Sequence, residues 1–138
     1  MSQLNVNDLL RALQILERNV SVTLMYSGLR IPQFRLLELL HGAGQATVSE
    51  VSKMLHITRA TASVQINELL RAGVVAVVEH ESDRRSFHVH ITELGRNKLS
   101  VARSDLAVMQ QKLSSHYDEA TLQTLNAFAE KMLQQRRP

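Results

Sequence analysis

The sequence predicts a mainly α protein with one small β-hairpin: a winged helix-turn-helix flanked by N- and C-terminal helices. Two observations carry that reading. Apolar residues recur at three- and four-residue spacing over much of the 138-residue chain, as amphipathic helices require. One stretch, 87–91, alternates in steps of two instead, and it follows three short helical segments. Hydrophobic residues make up 44% of the chain but aromatic ones only 4%, which fits a soluble, Leu/Val-rich, helical fold.

The first helix is predicted over 7–28, where Val6, Leu9, Leu10, Leu13, Leu16, Val20 and Leu24 mark one face. Ile31-Pro32 breaks this pattern, and Pro32 opens a second helix, "PQFRLLELLH", expected to stop at Gly42. Thr47 with Glu50 three residues on is a capping box, starting a third helix that ends at Leu55. After a turn at His56-Ile57, Thr58 caps a fourth, "RATASVQINELLRA", closed by Gly73. Ala62, Ile66 and Leu69 mark its inward face. Arg59, Thr61, Ser63 and Asn67 point outward, with Ala60 and Val64 between. Residues 74–78 are rich in β-branched side chains and pair with 87–91 as a hairpin. A long helix follows from Glu93 to about residue 115, its seam made by Leu99, Ala102, Leu106, Met109 and Leu113. Asp118 caps the last helix, through Leu122, Leu125, Phe128, Ala129 and Met132.

The segment "SDRRSFHVHITELGR", 82–96, is the most informative for function. Arg84 and Arg85 stand at the tip of a turn. Phe87, Val89 and Ile91 share one strand face, Ser86, His88 and His90 the other, and Thr92 caps the following helix. Two adjacent guanidinium groups on a ribbon beside a helical module suit a polyanion, whereas ordinary turn charges would need no such setting. The second helix of a helix-turn-helix fits the DNA major groove.

Charge placement agrees. The formal net charge is +3, from 16 basic and 13 acidic residues. Residues 1–52 carry four of each sign and residues 104–138 again four of each. The remaining eight against five, the whole excess, lie between Lys53 and Arg103. There is no cysteine, which excludes disulfides, thiol redox sensing and thiolate metal sites. No apolar run approaches the roughly 20 residues that span a bilayer, and no signal-peptide pattern is seen, so no membrane partner and a cytoplasmic location are expected.

These residues resemble the MarR family of bacterial transcription regulators. The wing pattern runs Asp, any, Arg, three residues, aliphatic, any, aliphatic, Thr, two residues, Gly. Here it is met by Asp83, Arg85, Val89, Ile91, Thr92 and Gly95. "IPQFRLLELL" looks like the family's second helix, and "TVSEVSKMLHITRATAS" like its helix-turn-helix. The resemblance implies one MarR-like domain over 1–138, with dimerisation helices at about 5–29 and 93–135 and the winged helix-turn-helix at about 32–92. It further implies a homodimer on a palindromic operator in double-stranded DNA, and repression relieved by a small-molecule effector. Carried onto this chain, Arg85 reaches the minor groove or its phosphates and Asp83 braces the wing through an arginine. Thr58, Arg59, Thr61 and Ser63 open the recognition helix, where phosphate and base contacts fall. Ala60 and Val64 belong to the same DNA-facing set. The chain departs from the family at Val64 and at Val77-Val78, where basic residues are common. Both changes remove positive charge, although Val64 suits a thymine methyl.

Other features have simpler readings. If Val78 pairs near His90 and His80 near His88, three imidazoles share one wing face. An exposed ribbon supplies converging zinc ligands poorly, so no metal and no cofactor are expected. "GAGQAT" from Gly42 lacks the third glycine and the preceding strand of a nucleotide loop and is read as a helix stop and turn. Without a phosphate loop, nucleophile elbow or zinc-hydrolase helix, an enzyme is not expected. The competing class is a winged-helix protein of anti-repressor type that binds a protein partner, favoured by Val64, Val77 and Val78. The effector's binding residues are not identified by the sequence. Its cleft is expected near the first, second and fifth helices.

Overall fold

The protein, a computed structural model, is described over residues 2–78 and 87–135. It divides into two compact units, Met1–Asp105 and Leu106–Pro138.

In the first unit, α1 spans Val6–Leu24 and starts where the Asn5 side chain accepts the Asp8 N–H at 3.0 Å. The end of the segment tightens into a 3₁₀ turn, Met25–Ser27, closed by Gly28 at φ 74°. Ser27 is buried there without loss, because its hydroxyl donates to Leu24 O (2.6 Å) and accepts from Leu29 N (3.2 Å). The second helix, α2, spans Ile31–Ala43 with Pro32 in its first turn, where a missing N–H costs nothing. It passes through Gly42, the expected stop, and ends instead at Gly44. That residue takes φ 85° and its N–H still reaches Leu40 O at 2.8 Å.

Two short helices follow. α3 spans Val48–Leu55 and has the complete capping box. Thr47 Oγ1 accepts the Glu50 N–H at 3.1 Å, and Glu50 Oε1 accepts the Thr47 N–H at 3.3 Å. His56 then adopts the left-handed conformation, φ 55°. α4 spans Arg59–Arg71, with Thr58 Oγ1 accepting the Thr61 N–H at 3.0 Å.

The sheet has three antiparallel strands in the order β1-β3-β2, where β1 is Ala46–Thr47, β2 Val75–Val77 and β3 His88–Ile91. The central strand pairs Val75 with Ile91, Ala76 with His90 and Val77 with Val89 on one side, and Ala46 with Val89 on the other. This register corrects the expectation that Val78 lies near His90, since the Val78 N–H reaches the His88 carbonyl at 2.9 Å. A two-residue slip keeps every side chain on its own face, so alternation alone cannot detect it. β1 itself was not foreseen: two residues are too few to show a period.

Leu36, Leu37 and Leu40 of α2, Val51 of α3, Ile66 and Leu69 of α4, and Val74 and Val89 near the sheet form the fully buried core. Leu99 and Ala102 of α5, which spans Glu93–Ser114, are also buried. Thr92 links the sheet to α5. Its hydroxyl donates to Gly73 O at 2.7 Å and accepts the Gly95 N–H at 3.2 Å. Arg103 of α5 grips Glu38 of α2 with two hydrogen bonds, 2.5 and 2.8 Å.

In the second unit, α6 spans Glu119–Gln134. Asp118 caps it by accepting the Thr121 N–H at 2.8 Å, and hydrogen bonding to Thr121 holds this carboxyl below its ordinary pKa. No residue of α6 is buried, and Leu125, Met132 and Leu133 are exposed. Among the described residues, no helix is long and apolar enough to cross a membrane.

Candidate nucleic-acid interface

The start of α4 is the best-defined surface feature of the first unit. Ala62, Ile66 and Leu69 anchor the helix in the core, so the opposite side faces out by helical geometry. Thr58, Arg59, Ala60 and Thr61 are exposed, Ser63 is half-buried, and Val64 is exposed to 58%. Of the expected outward set, Arg59, Thr61 and Asn67 are exposed, whereas Ser63 is only half so. Val64 and Ala60, placed between the faces by sequence, belong to the outer one.

Local chemistry prepares this end for an anion. The first turn of α4 contains no acidic residue, and Arg59 is its first residue. A cation there works against the helix dipole, whose positive end carries unsatisfied N–H groups, so both favour an incoming negative charge. The Thr58 hydroxyl donates to Thr61 Oγ1 at 2.9 Å while accepting the Thr61 N–H. The Thr61 hydroxyl accepts that bond, which leaves its own proton for an outside acceptor.

Two clefts flank the helix start. One, of about 340 Å³, is lined by Thr47, Val48, Ser49, Arg59, Ala60, Ser63 and Phe87. It joins the beginnings of α3 and α4 to the residue entering β3. The other, of about 390 Å³, is lined by Arg30, Pro32, Ala60, Thr61, Val64, Gln65 and Glu68. Ala60 lines both, so the first turns of α4 form a ridge between two grooves. The Arg30 guanidinium pairs with Glu68 at 2.5 Å. That pairing neutralises the Glu68 carboxylate, which lines this second cleft.

Sequence reasoning missed the contributions of Thr47, Ser49 and Arg30. The capping box marked Thr47 as a helix start, but nothing in the sequence brought that start beside Arg59. Asp83, Arg84 and Arg85, the expected wing residues, lie outside the described residues, as does His80. His88 is half-buried, with Nε2 3.9 Å from Glu50 Oε1. His90 Nδ1 lies 3.1 Å from Ile91 O. Among the described residues, no three His, Asp or Glu side chains are grouped as metal ligands.

Gly95 explains the last position of the wing pattern. A Cβ there would lie 2.1 Å from Val74 O and 2.7 Å from Ile91 Cγ1. Only glycine lets α5 approach the sheet this closely.

A separate cleft of about 360 Å³ opens between α1 and α2, lined by Leu13, Leu16, Glu17, Val20, Ile31, Phe34 and Arg35. Tyr26, by contrast, is 93% exposed and lines none of these clefts.

A helix-turn-helix with an exposed second helix, backed by a three-stranded antiparallel sheet, defines the winged helix-turn-helix class. Residues 27–86 match the model of the MarR family. Over these residues the winged helix-turn-helix of this chain is similar to that of the MarR family. Solved structures agree on the fold. A cysteine-to-serine mutant of MarR from E. coli, complexed with operator DNA, superposes with a TM-score of 0.81 at 20% identity, covering 93% of each chain. A MarR family transcriptional regulator from Streptomyces coelicolor gives 0.77 at 24% identity, covering 92% of this chain and 89% of its own. The M. tuberculosis transcriptional regulator MOSR, in complex with DNA, gives 0.73 at 22% identity, covering 99% of this chain and all of its own. No curated protein matches this chain in sequence.

Proposed function

We propose that this protein is a DNA-binding transcription regulator that acts in the cytoplasm as a homodimer on a palindromic operator, repressing until a small molecule releases it. The carrying observation is the start of α4: an exposed, Thr58-capped helix end with Arg59 outward and no acidic residue in its first turn. Thr58, Arg59, Thr61 and Ser63 contact phosphates and base edges, with Ala60 and Val64 against the groove. Arg84 and Arg85 hold the backbone from the wing, and Asp83 braces it. The E. coli and M. tuberculosis neighbours, which share the fold, are themselves complexes with DNA, and this supports the reading. The homodimer is supported by the exposed Leu10, Leu13, Ile15 and Leu16 on α1 and the exposed Leu125 and Leu133 on α6. The cleft between α1 and α2 suits an effector with an apolar body. Phe34 and the leucines line it, and Glu17 and Arg35 supply charges for a polar end.

Titration into labelled duplex from upstream of the protein's own gene tests this. Binding that resists unrelated competitor duplex, falls steeply with salt and is lost in Arg59→Ala and in Arg84→Ala/Arg85→Ala supports the regulator, because phosphate contacts release counterions. Weak, salt-insensitive binding equal in all variants removes it. Val64 and Val77, exposed to 58% and 41%, would then favour a protein partner instead.

A further inference from the structure

We infer that Val64, with Ala60 one turn before it, reads thymine methyl groups, so that the half-site of this regulator contains thymine at the bases these side chains meet. The inference rests on the DNA-binding reading above and deepens it from contact to sequence preference.

Val64 is a β-branched apolar side chain standing 58% exposed on a helix whose core-facing residues, Ala62, Ile66 and Leu69, are at most 1% exposed. It is therefore not core. Ala60 is exposed four residues earlier, which puts the two on one face, about 5–6 Å apart. That spacing lies within two base steps of about 3.4 Å each, so the pair can meet neighbouring or next-neighbouring bases. Both line the cleft that also contains the Thr61 and Gln65 side chains. Polar groups thus border the apolar pair on the same outward surface.

The occupant follows from the chemistry of this surface. Glu68, further along the helix, is paired with Arg30 and so presents no free carboxylate to phosphate. The basic excess of the whole chain lies in the segment from Lys53 to Arg103 that contains this helix. An apolar stripe within a surface suited to polyanions calls for the apolar feature a polyanion offers. In the major groove that feature is the C5-methyl of thymine, which aliphatic side chains contact. A cationic residue at 64 would address guanine or phosphate. Valine does neither, and against a G·C pair it desolvates guanine O6 or the cytosine amino group without replacing the lost hydrogen bond.

The test is selection of bound duplexes from a randomised pool with the full chain, followed by replacement of thymine with uracil one position at a time. Uracil keeps the pairing and removes only the methyl group. Binding is expected to weaken about fourfold for each contacted methyl, the equivalent of one buried CH₂ group. In the Val64→Ala variant the penalty at one of these positions is expected to disappear, while the penalties at the others persist, the coupling a double-mutant cycle isolates. Selected duplexes without a thymine preference, or uracil penalties unchanged by Val64→Ala, overturn methyl reading but leave DNA binding intact. Failure to select any competitor-resistant duplex overturns the DNA-binding reading and this one with it.

Discussion

Gly95 shows how one residue fixes a joint between elements. Its missing side chain lets α5 start against Val74 and Ile91, and Thr92 closes the joint through Gly73 O and the Gly95 N–H. Replacing a helical glycine by alanine ordinarily gains about 1 kcal/mol of helix propensity. Here the new methyl would meet Val74 O, an atom already bonded to the Thr92 N–H at 3.0 Å and not free to retreat. Overpacking of this kind costs about 1–3 kcal/mol or more. Gly95→Ala should therefore lower the urea midpoint without changing the slope, read by far-UV circular dichroism. A midpoint raised above wild type would show that the sheet and helix can separate freely, against the geometry described. The sequence marked Gly95 as a position of the wing pattern. Its physical reason became visible only with Val74 beside it, a contact across twenty-one residues.

At the scale of elements, legibility followed the strength of the local signal. Thr47, Thr58 and Asp118 were read as caps from residue type and spacing, and each makes its backbone bond. Local rules fared worse where two glycines compete. Gly42 and Gly44 are both able to end α2, and the choice falls on Gly44. The hairpin register was equally hidden, because a slip of two residues preserves burial of Val89 and Ile91. Pairing of Glu38 with Arg103, sixty-five residues apart, carried no sequence signal at all. It has a pH consequence. The Arg103 hydrogen bonds hold the Glu38 carboxyl below its ordinary pKa, despite the opposing effect of desolvation. A depressed carboxylate stabilises the fold above its unfolded-state pKa, and that contribution is lost as pH falls through the folded value. Acidification should therefore destabilise wild type more steeply than Glu38→Gln, with the two curves converging below the folded pKa. The effect is modest, since both side chains are at least a third exposed and solvent screens them. Parallel urea titrations between neutral pH and the acid limb would detect it. Curves of equal slope in that window would remove the pair from the stability of the α2–α5 contact.

At the scale of the whole molecule, the apolar surface is unevenly distributed. The first unit buries a continuous core beneath α4 and the sheet, yet Val6, Leu10, Leu13 and Ile15 of α1 remain exposed. In the second unit no residue of α6 is fully buried, and Leu125, Met132 and Leu133 are exposed. Scattered apolar residues on a surface need no explanation, but repeated exposure along amphipathic helices marks an interaction face. In the homodimer proposed above a second copy covers such a face, and in a two-fold pair each residue is used twice. Leu125 is half exposed, so covering it in both protomers is worth about 1.5–3 kcal/mol, and a carboxylate buried there without a partner adds a further cost. Leu125→Glu should therefore raise the dimer dissociation constant by about a hundredfold or more, read by sedimentation velocity across a dilution series. Helical content should stay unchanged, because Leu125 is already 50% exposed in the single chain. DNA binding should weaken in step, since one recognition helix then meets one half-site without its partner. If Leu125→Glu sediments as wild type does at every concentration, the outer face of α6 lies outside the dimer interface. Weakened DNA binding in such a variant would have to come from elsewhere than dissociation.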